Sequence, residues 1–368
     1  MTIAPIPLVS PLLPDACADA VRDQVRSGFV GPGAATTRFC SVLADVVGAR
    51  RAVATVSGTI ALTVAAKALS LEPGDEIVVP AYGVISTINA FASAGLRPRL
   101  ADIDRATGCV TADTVARALT RATRAVCYVN FSGHTGQPLL DVAALCAERG
   151  LPLIEDAACA LGHRVANRAA GTIGDVGTYS FSVPKVVTTG QGGAVVARAE
   201  AVLDRAAAYI DQGDLEWRRT NINRAIGTNL RFTDLQAALG LPQLDDLQAR
   251  LARRRDLHTA LRSRLGAALY AVPGGEAPLH NVVFTEQPDA LISALSMAGI
   301  TAVRQYRTLS QHPAYGHLAD RAFDAADYWT RCAVYLPFGM AQSVDDMHRV
   351  ADEVLRSRIK LKIAVSVG

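Results

Sequence analysis

Between residues 51 and 157, five short runs rich in β-branched residues alternate with four longer runs rich in Ala and Leu. No other feature limits the fold as strongly. Segments 51–56, 75–80, 97–103, 124–131 and 151–157 read as strands, and 59–69, 83–95, 112–119 and 139–150 read as helices. Strands separated by helices of this length pair in parallel and need cover on both faces. The expected class is α/β, with a mostly parallel sheet. Periodicity alone leaves the strand order open. A long helical tract follows at 233–265, with Thr233 or Asp234 as its cap and Pro242 expected to kink or divide it. Beyond it, strand-like 280–285 and 301–306 and helix-like 288–299 and 343–359 suggest a smaller α+β domain. The division is placed at 1–245 and 246–368.

Several function classes are disfavoured. The net charge is only +3, and the longest basic run, Arg253 to Arg255, lies in a helix that also carries acidic residues, so no nucleic-acid footprint is expected. No apolar stretch approaches the roughly 18 residues of a membrane span. The first twenty residues lack a basic start and an unbroken apolar run, so no signal peptide is read there and a cytoplasmic protein is expected. Seven cysteines without a CxxC pair suggest neither a disulfide framework nor a metal site.

Three features carry chemistry. Only four of the 37 basic residues are lysines, yet one of them, Lys185, sits in "YSFSVPKVVTTGQGGAVV" among apolar, small and hydroxylated neighbours. It is either a solvated loop lysine or an amine kept to condense with a carbonyl, which a guanidinium does not usefully do. Asp156, in "LIEDAACALG", falls at the C-terminal end of a predicted strand, the edge where open α/β sheets bind ligands. It suits a helix cap or a partner for a buried cationic nitrogen. Ser57, Gly58 and Thr59 join a strand to a helix, which makes a plain cap or an anion cradle. A Schiff-base lysine, a carboxylate for a ring nitrogen and a phosphate cradle are together the needs of pyridoxal 5′-phosphate.

The ordered segments "FVGPGAATTRFCSVLADVVGARRAVATVSGTIAL", "LEPGDEIVVPAYGVISTINAFASAGLRPRLADID", "GQPLLDVAALCAERGLPLIEDAACALG", "SFSVPKVVTTGQGGAVV" and "GTNLRFTDLQAALGLPQLDDL" resemble the DegT/DnrJ/EryC1/StrS family of sugar aminotransferases over almost the whole chain. The resemblance implies the fold-type I architecture of pyridoxal-phosphate enzymes. That is a three-layer large domain on a mostly parallel seven-stranded sheet, plus a smaller C-terminal domain. It implies Lys185 as the lysine that holds the cofactor and moves protons, Asp156 at the pyridine nitrogen, and Gly58, Thr59 and Ser180 as phosphate contacts. Asn229 matches an asparagine that reaches the phosphate from the partner subunit, which implies a homodimer with shared active sites. Arg231 matches a carboxylate contact.

Five positions depart from the family pattern: Cys159 replaces a glutamine, Val84 replaces the aromatic that stacks on the ring, Gln191 replaces a glutamate, and in the segment near the substrate Gln305-Tyr306-Arg307 replaces His-Tyr-Pro. Tyr82 could substitute for the lost ring only if its stretch is extended. His163 lies close enough to Asp156 to be a candidate substrate contact. The implied activity is transfer of an amino group from L-glutamate or L-glutamine to a ketone on a nucleotide-linked deoxysugar or an aminocyclitol. The arginine-rich composition hints at secondary metabolism. Two alternatives stay open: a different pyridoxal-phosphate reaction (elimination, decarboxylation or cyclisation), or a non-enzymatic regulatory subunit.

Overall fold

The computed structural model describes residues 4–364. Each of the five strands expected between residues 51 and 157 forms where its β-branched residues can be buried. They are β1 (Ala52–Thr55), β2 (Glu76–Pro80), β3 (Arg97–Ala101), β4 (Thr123–Val129) and β5 (Leu153–Asp156). A short hairpin, β6 (Arg164–Val165) with β7 (Arg168–Ala169), precedes two strands that periodicity did not reveal, β8 (Val176–Ser180) and β9 (Gly193–Ala197). Seven of these form one sheet in the order β1-β9-β8-β5-β4-β2-β3. The run from β8 to β3 is parallel, and β9 lies antiparallel between β8 and β1. The sheet is therefore mostly parallel, and apolar clusters cover both of its faces.

Adjacent residues of β5 show how the sheet divides its labour. Side chains alternate faces along a strand. Glu155 points to one side, where its carboxylate accepts hydrogen bonds from Asn130 Nδ2 and from the backbone N–H groups of Gly171, Ile173 and Gly174. Asp156 points to the other side.

The helical tract does not break at its proline. Its first helix runs Asp234–Asp245 with Pro242 inside it, and the second, Leu247–Leu265, begins after Asp246. Thr233 caps the first helix in a reciprocal box with Gln236. Asp234 instead serves a different helix: its carboxylate accepts from Gly33 N, Ala35 N and Thr36 N at the start of Ala34–Val47. The basic run is structural. Arg253 donates to Met340 O and Gln342 O, Arg254 to Pro278 O and Leu279 O, and Arg255 pairs with Glu276.

The later part of the chain folds over a second sheet, β10 (Asn281–Thr285) between β11 (Ala333–Leu336) and β12 (Leu361–Lys362). The expected strand at 301–306 is not one. Val303 alone bridges to Tyr335, because the chain then turns away to place Tyr306 among other rings. The first described residues also join this region: Ile6 N donates to Gly299 O, and Phe338 N to Leu8 O. Residues 6–10 therefore bond to the later unit rather than to the sheet that follows them in sequence.

Candidate active site

Five parallel strands, β1, β2, β4, β5 and β8, release the chain at their C-terminal ends around a cavity of about 280 Å³. Beyond β1, Ser57 caps the helix Gly58–Ala68 through its hydroxyl, which accepts from Ile60 N at 3.2 Å. The amides of Gly58 and Thr59, at the first two helical positions, have no partner inside the helix and lie at its positive end. Ser180, at the end of β8, stands against them. A Cβ added to Gly58 would lie 2.7 Å from Ser180 Cβ, so only glycine leaves this cradle open.

Asp156 lies at the cavity floor, 5% exposed. Its Oδ1 accepts from Ala158 N at 3.0 Å and its Oδ2 from the Thr87 hydroxyl at 3.1 Å. Burial raises its pKa above the usual carboxylate range, against the opposing pull of the Ala158 amide, the Lys185 amine and the Thr87 hydroxyl. A cation placed beside it would relieve that cost. Lys185 enters from the loop between β8 and β9, and its Nζ donates to Cys159 Sγ at 3.3 Å.

One lining residue escaped the sequence. His280, at the threshold of β10, crosses from the second sheet to line the cavity. Ser132 fixes it: the Ser132 hydroxyl accepts the His280 backbone N–H at 2.9 Å and lies 3.2 Å from Nδ1. Tyr306 Oη is 3.1 Å from Nε2. Loss of water pushes the His280 pKa down to about 3, and the nearby Lys185 and Arg254 add to the effect, so the ring is neutral at physiological pH. Ser132 holds this arrangement at a φ of 54°, which is strained for a residue with a Cβ.

Of the candidate residues, Gly58, Thr59, Val84, Asp156, Cys159, Ser180 and Lys185 come together in the cavity, and Gln191 joins them. Tyr82 does not. It is 1% exposed, its hydroxyl is 2.9 Å from that of Tyr335, and it packs on Phe131 and Trp329 behind the wall. Its stretch does not turn the ring inward, and the aromatic side chain that does line the cavity is Phe131. His163 lies behind the lysine, lining a small separate void, with Nδ1 2.7 Å from Gly133 O. Tyr306 reaches the cavity only through His280, and Gln305 is exposed beside it. Asn229 and Arg231 are outside the cavity. Arg231 donates to Asn229 Oδ1 at 2.9 Å and to Asp211 at 2.8 Å, and it lines a larger groove of about 610 Å³ that contains neither Lys185 nor Asp156. Among the described residues no cluster fit to hold a metal ion occurs, and no helix is long and apolar enough to cross a membrane.

Comparison with known proteins identifies the chain's relatives. The DegT/DnrJ/EryC1/StrS aminotransferase family matches residues 13–355. The dTDP-4-dehydro-2,3,6-trideoxy-D-glucose 4-aminotransferase of Saccharopolyspora spinosa is 33% identical, over 95% of each chain. GDP-perosamine synthase of Vibrio cholerae is 29% identical, over 90% of this chain and 93% of its own. The crystal structure of the aminotransferase TlmJ from Streptoalloteichus hindustanus superposes with a TM-score of 0.90 at 31% identity, covering 96% of this chain and 99% of that one.

Proposed function

Because this chain belongs to the DegT/DnrJ/EryC1/StrS aminotransferase family, we propose that it transfers an amino group from L-glutamate or L-glutamine to the ketone of a nucleotide-linked deoxysugar, with an aminocyclitol as the other candidate acceptor. The curated relatives above act on nucleotide-linked sugars by their names, which favours the first. The observation that carries the reading is the meeting of Lys185, Asp156 and the open helix start at Gly58 in one cavity.

The residues fit pyridoxal phosphate, which the family implies. The cofactor's chemistry, when bound, is that of an electron sink for charge at the substrate carbon. Gly58 N, Thr59 N and the Ser180 hydroxyl would take its phosphate. Asp156 would hold a proton on the ring nitrogen, at a carboxylate whose burial makes a cation partner favourable. Val84 and Ala158 line the site with small apolar side chains suited to packing on the faces of a flat ring. Lys185 would hold the cofactor's carbonyl at rest and carry a proton to and from the substrate carbon afterwards. Cys159, beside that amine, gives it an acceptor when it is free. Neutral His280 would meet the acceptor sugar from the threshold of β10, with the Tyr306 hydroxyl behind it at Nε2. Asn229 and Arg231, outside the cavity of their own chain, would complete a partner's site in a homodimer.

The test is the visible spectrum of the purified protein before and after adding L-glutamate or L-glutamine, beside Lys185→Ala. A cofactor band that depends on Lys185 and is discharged by a donor supports the reading. A Lys185-dependent band indifferent to both donors would overturn the transamination, and no chromophore on adding pyridoxal phosphate would overturn the cofactor as well.

A further inference from the structure

A loop that carries a reacting lysine must place one amine within a few tenths of an ångström, yet the segment between β8 and β9 is poorly equipped to stiffen itself. Gly190, Gly192 and Gly193 close it, and glycine resists bending least. Within the loop, Thr189 N and the Thr188 hydroxyl donate to Phe181 O, and Gly190 N donates to the Thr188 hydroxyl. These bonds fold the far side of the loop, and Lys185 N donates to Ser182 O at 3.0 Å; Val186 and Val187 are buried, packed in one cluster with Leu244, Leu247 and Leu251 of the helical tract.

Polar restraint is added from the helical tract. Gln243 presents its whole amide to Thr188. Its Oε1 accepts Thr188 N at 3.0 Å, and its Nε2 donates to Thr188 O at 2.7 Å and to Leu239 O at 2.8 Å. Arg250 donates through Nε to Val186 O at 2.7 Å and through Nη2 to Leu12 O at 3.1 Å. Gln243 is 0% exposed and Arg250 3%. They are seven residues apart, two turns along a tract interrupted only at Asp246, so they share one face. Burying an amide and a guanidinium costs free energy that apolar side chains would not; what such groups give in return is a single geometry. The geometry fixed here is that of Val186 and Thr188, one and three residues after Lys185. One turn beyond Arg250, Arg254 bonds Pro278 O and Leu279 O, the two residues before His280. The same tract therefore braces both the lysine loop and the opposite wall of the cavity.

We propose that Gln243 and Arg250 are positioning residues for Lys185, clamping its loop from the helical tract. The inference rests on the functional reading of Lys185 given above. It assigns these two side chains a role in setting the amine's place and proton affinity, beyond their share in stability.

The experiment compares Gln243→Leu, Arg250→Met and the milder Arg250→Lys with Arg253→Met. The last removes a guanidinium from the same helix that also bonds two carbonyls, but those of Met340 and Gln342, outside the lysine loop. Two quantities are read. One is the pH midpoint of the visible band of bound pyridoxal phosphate. The other is the pH dependence of Lys185 acetylation by acetic anhydride in cofactor-free protein, followed by peptide mass spectrometry. The clamp predicts that the Gln243 and Arg250 variants shift both midpoints by about half a pH unit or more, while Arg253→Met lowers the melting temperature and leaves both in place. If Arg250→Met does not fold, Arg250→Lys, which keeps the charge and loses the fork, shows the same direction of shift. Equal losses of melting temperature with wild-type titration of Lys185 throughout would overturn the proposal. Should the wild type form no Lys185-dependent band, the functional reading falls alone, because the acetylation profile still decides the clamp.

Discussion

Lys185 Nζ donates to Cys159 Sγ at 3.3 Å, and among the described residues no carboxylate lies within ion-pair distance of that amine. The thiol beside it is half-buried on the cavity wall, whereas five of the other six cysteines are buried. Burial pushes the thiols of those six upward, to about 12 at Cys109 and Cys146, which leaves little thiolate to react at neutral pH. Iodoacetamide should therefore modify Cys159 first in cofactor-free protein and block later uptake of pyridoxal phosphate. Bound cofactor should protect it, and Cys159→Ala should be insensitive. Peptide mass spectrometry with absorbance on reconstitution checks this; full reconstitution after complete alkylation at Cys159 would refute it.

Asp156 shows a conflict between folding and function. Its folded pKa is raised by burial, so the native state keeps a proton that the unfolded chain has already released. Its contribution to stability is then lost as pH rises from the ordinary carboxylate value through the raised one. Cofactor-free Asp156→Asn should be more stable than cofactor-free wild type at neutral pH, and its stability should vary less as pH rises above the ordinary carboxylate value of about 4. With substrate it should lose about 3–5 kcal/mol of transition-state stabilisation, the usual result of removing one partner of a buried ion pair. Urea unfolding and kcat/KM measure the two halves; an Asn variant less stable than wild type at neutral pH would contradict the first.

Much of this was legible in the sequence, for reasons that differ by residue. The strands from β1 to β5 announce themselves because Val, Ile and Leu must be buried on both faces of a parallel sheet. β8 and β9 do not, since Val176–Ser180 and Gly193–Ala197 are mostly small or hydroxylated and gain their strand geometry from pairing with each other. Lys185 and Asp156 stand out because few other side chains can do their chemistry. His280 does not, because its place depends on Ser132, far away in sequence, and on a strained turn that no local pattern encodes. Tyr82 misleads for the converse reason. A large ring near the site can fill the core behind it as readily as face a ligand, and only tertiary packing decides.

His134 is a polar residue buried without reward. It is 1% exposed, and neither ring nitrogen has a hydrogen-bond partner among the described residues. Burial pushes its pKa down to about 4, with Asp104 opposing. The unfolded chain takes up the proton near the ordinary histidine value while the native ring stays neutral. Stability therefore falls as pH drops below about 6.5, by up to about 1.4 kcal/mol per pH unit for this residue. His134→Leu should remove that slope and add about 1–3 kcal/mol by eliminating unpaired polar atoms. Urea denaturation at two pH values is sufficient, and an unchanged slope would exclude His134 as the cause.

Gly58→Ala sets helix propensity against the site. Alanine is favoured over glycine inside a helix by about 1 kcal/mol, so the helix Gly58–Ala68 would form as well or better. The new methyl, however, would sit 2.7 Å from Ser180 Cβ and 3.3 Å from its Cα, too close for a rotamer change to relieve. Ser180 or the helix start must move, and either movement closes the cradle formed by the Gly58 and Thr59 amides. The variant should melt within a few degrees of wild type without cofactor yet bind pyridoxal phosphate at least about tenfold more weakly, a loss of about 1.4 kcal/mol. Absorbance titration of the cofactor gives the affinity, and differential scanning of the cofactor-free protein gives the stability. Wild-type affinity in a normally folded variant would mean that the phosphate is held elsewhere, and the assignment of the cradle would fall with it.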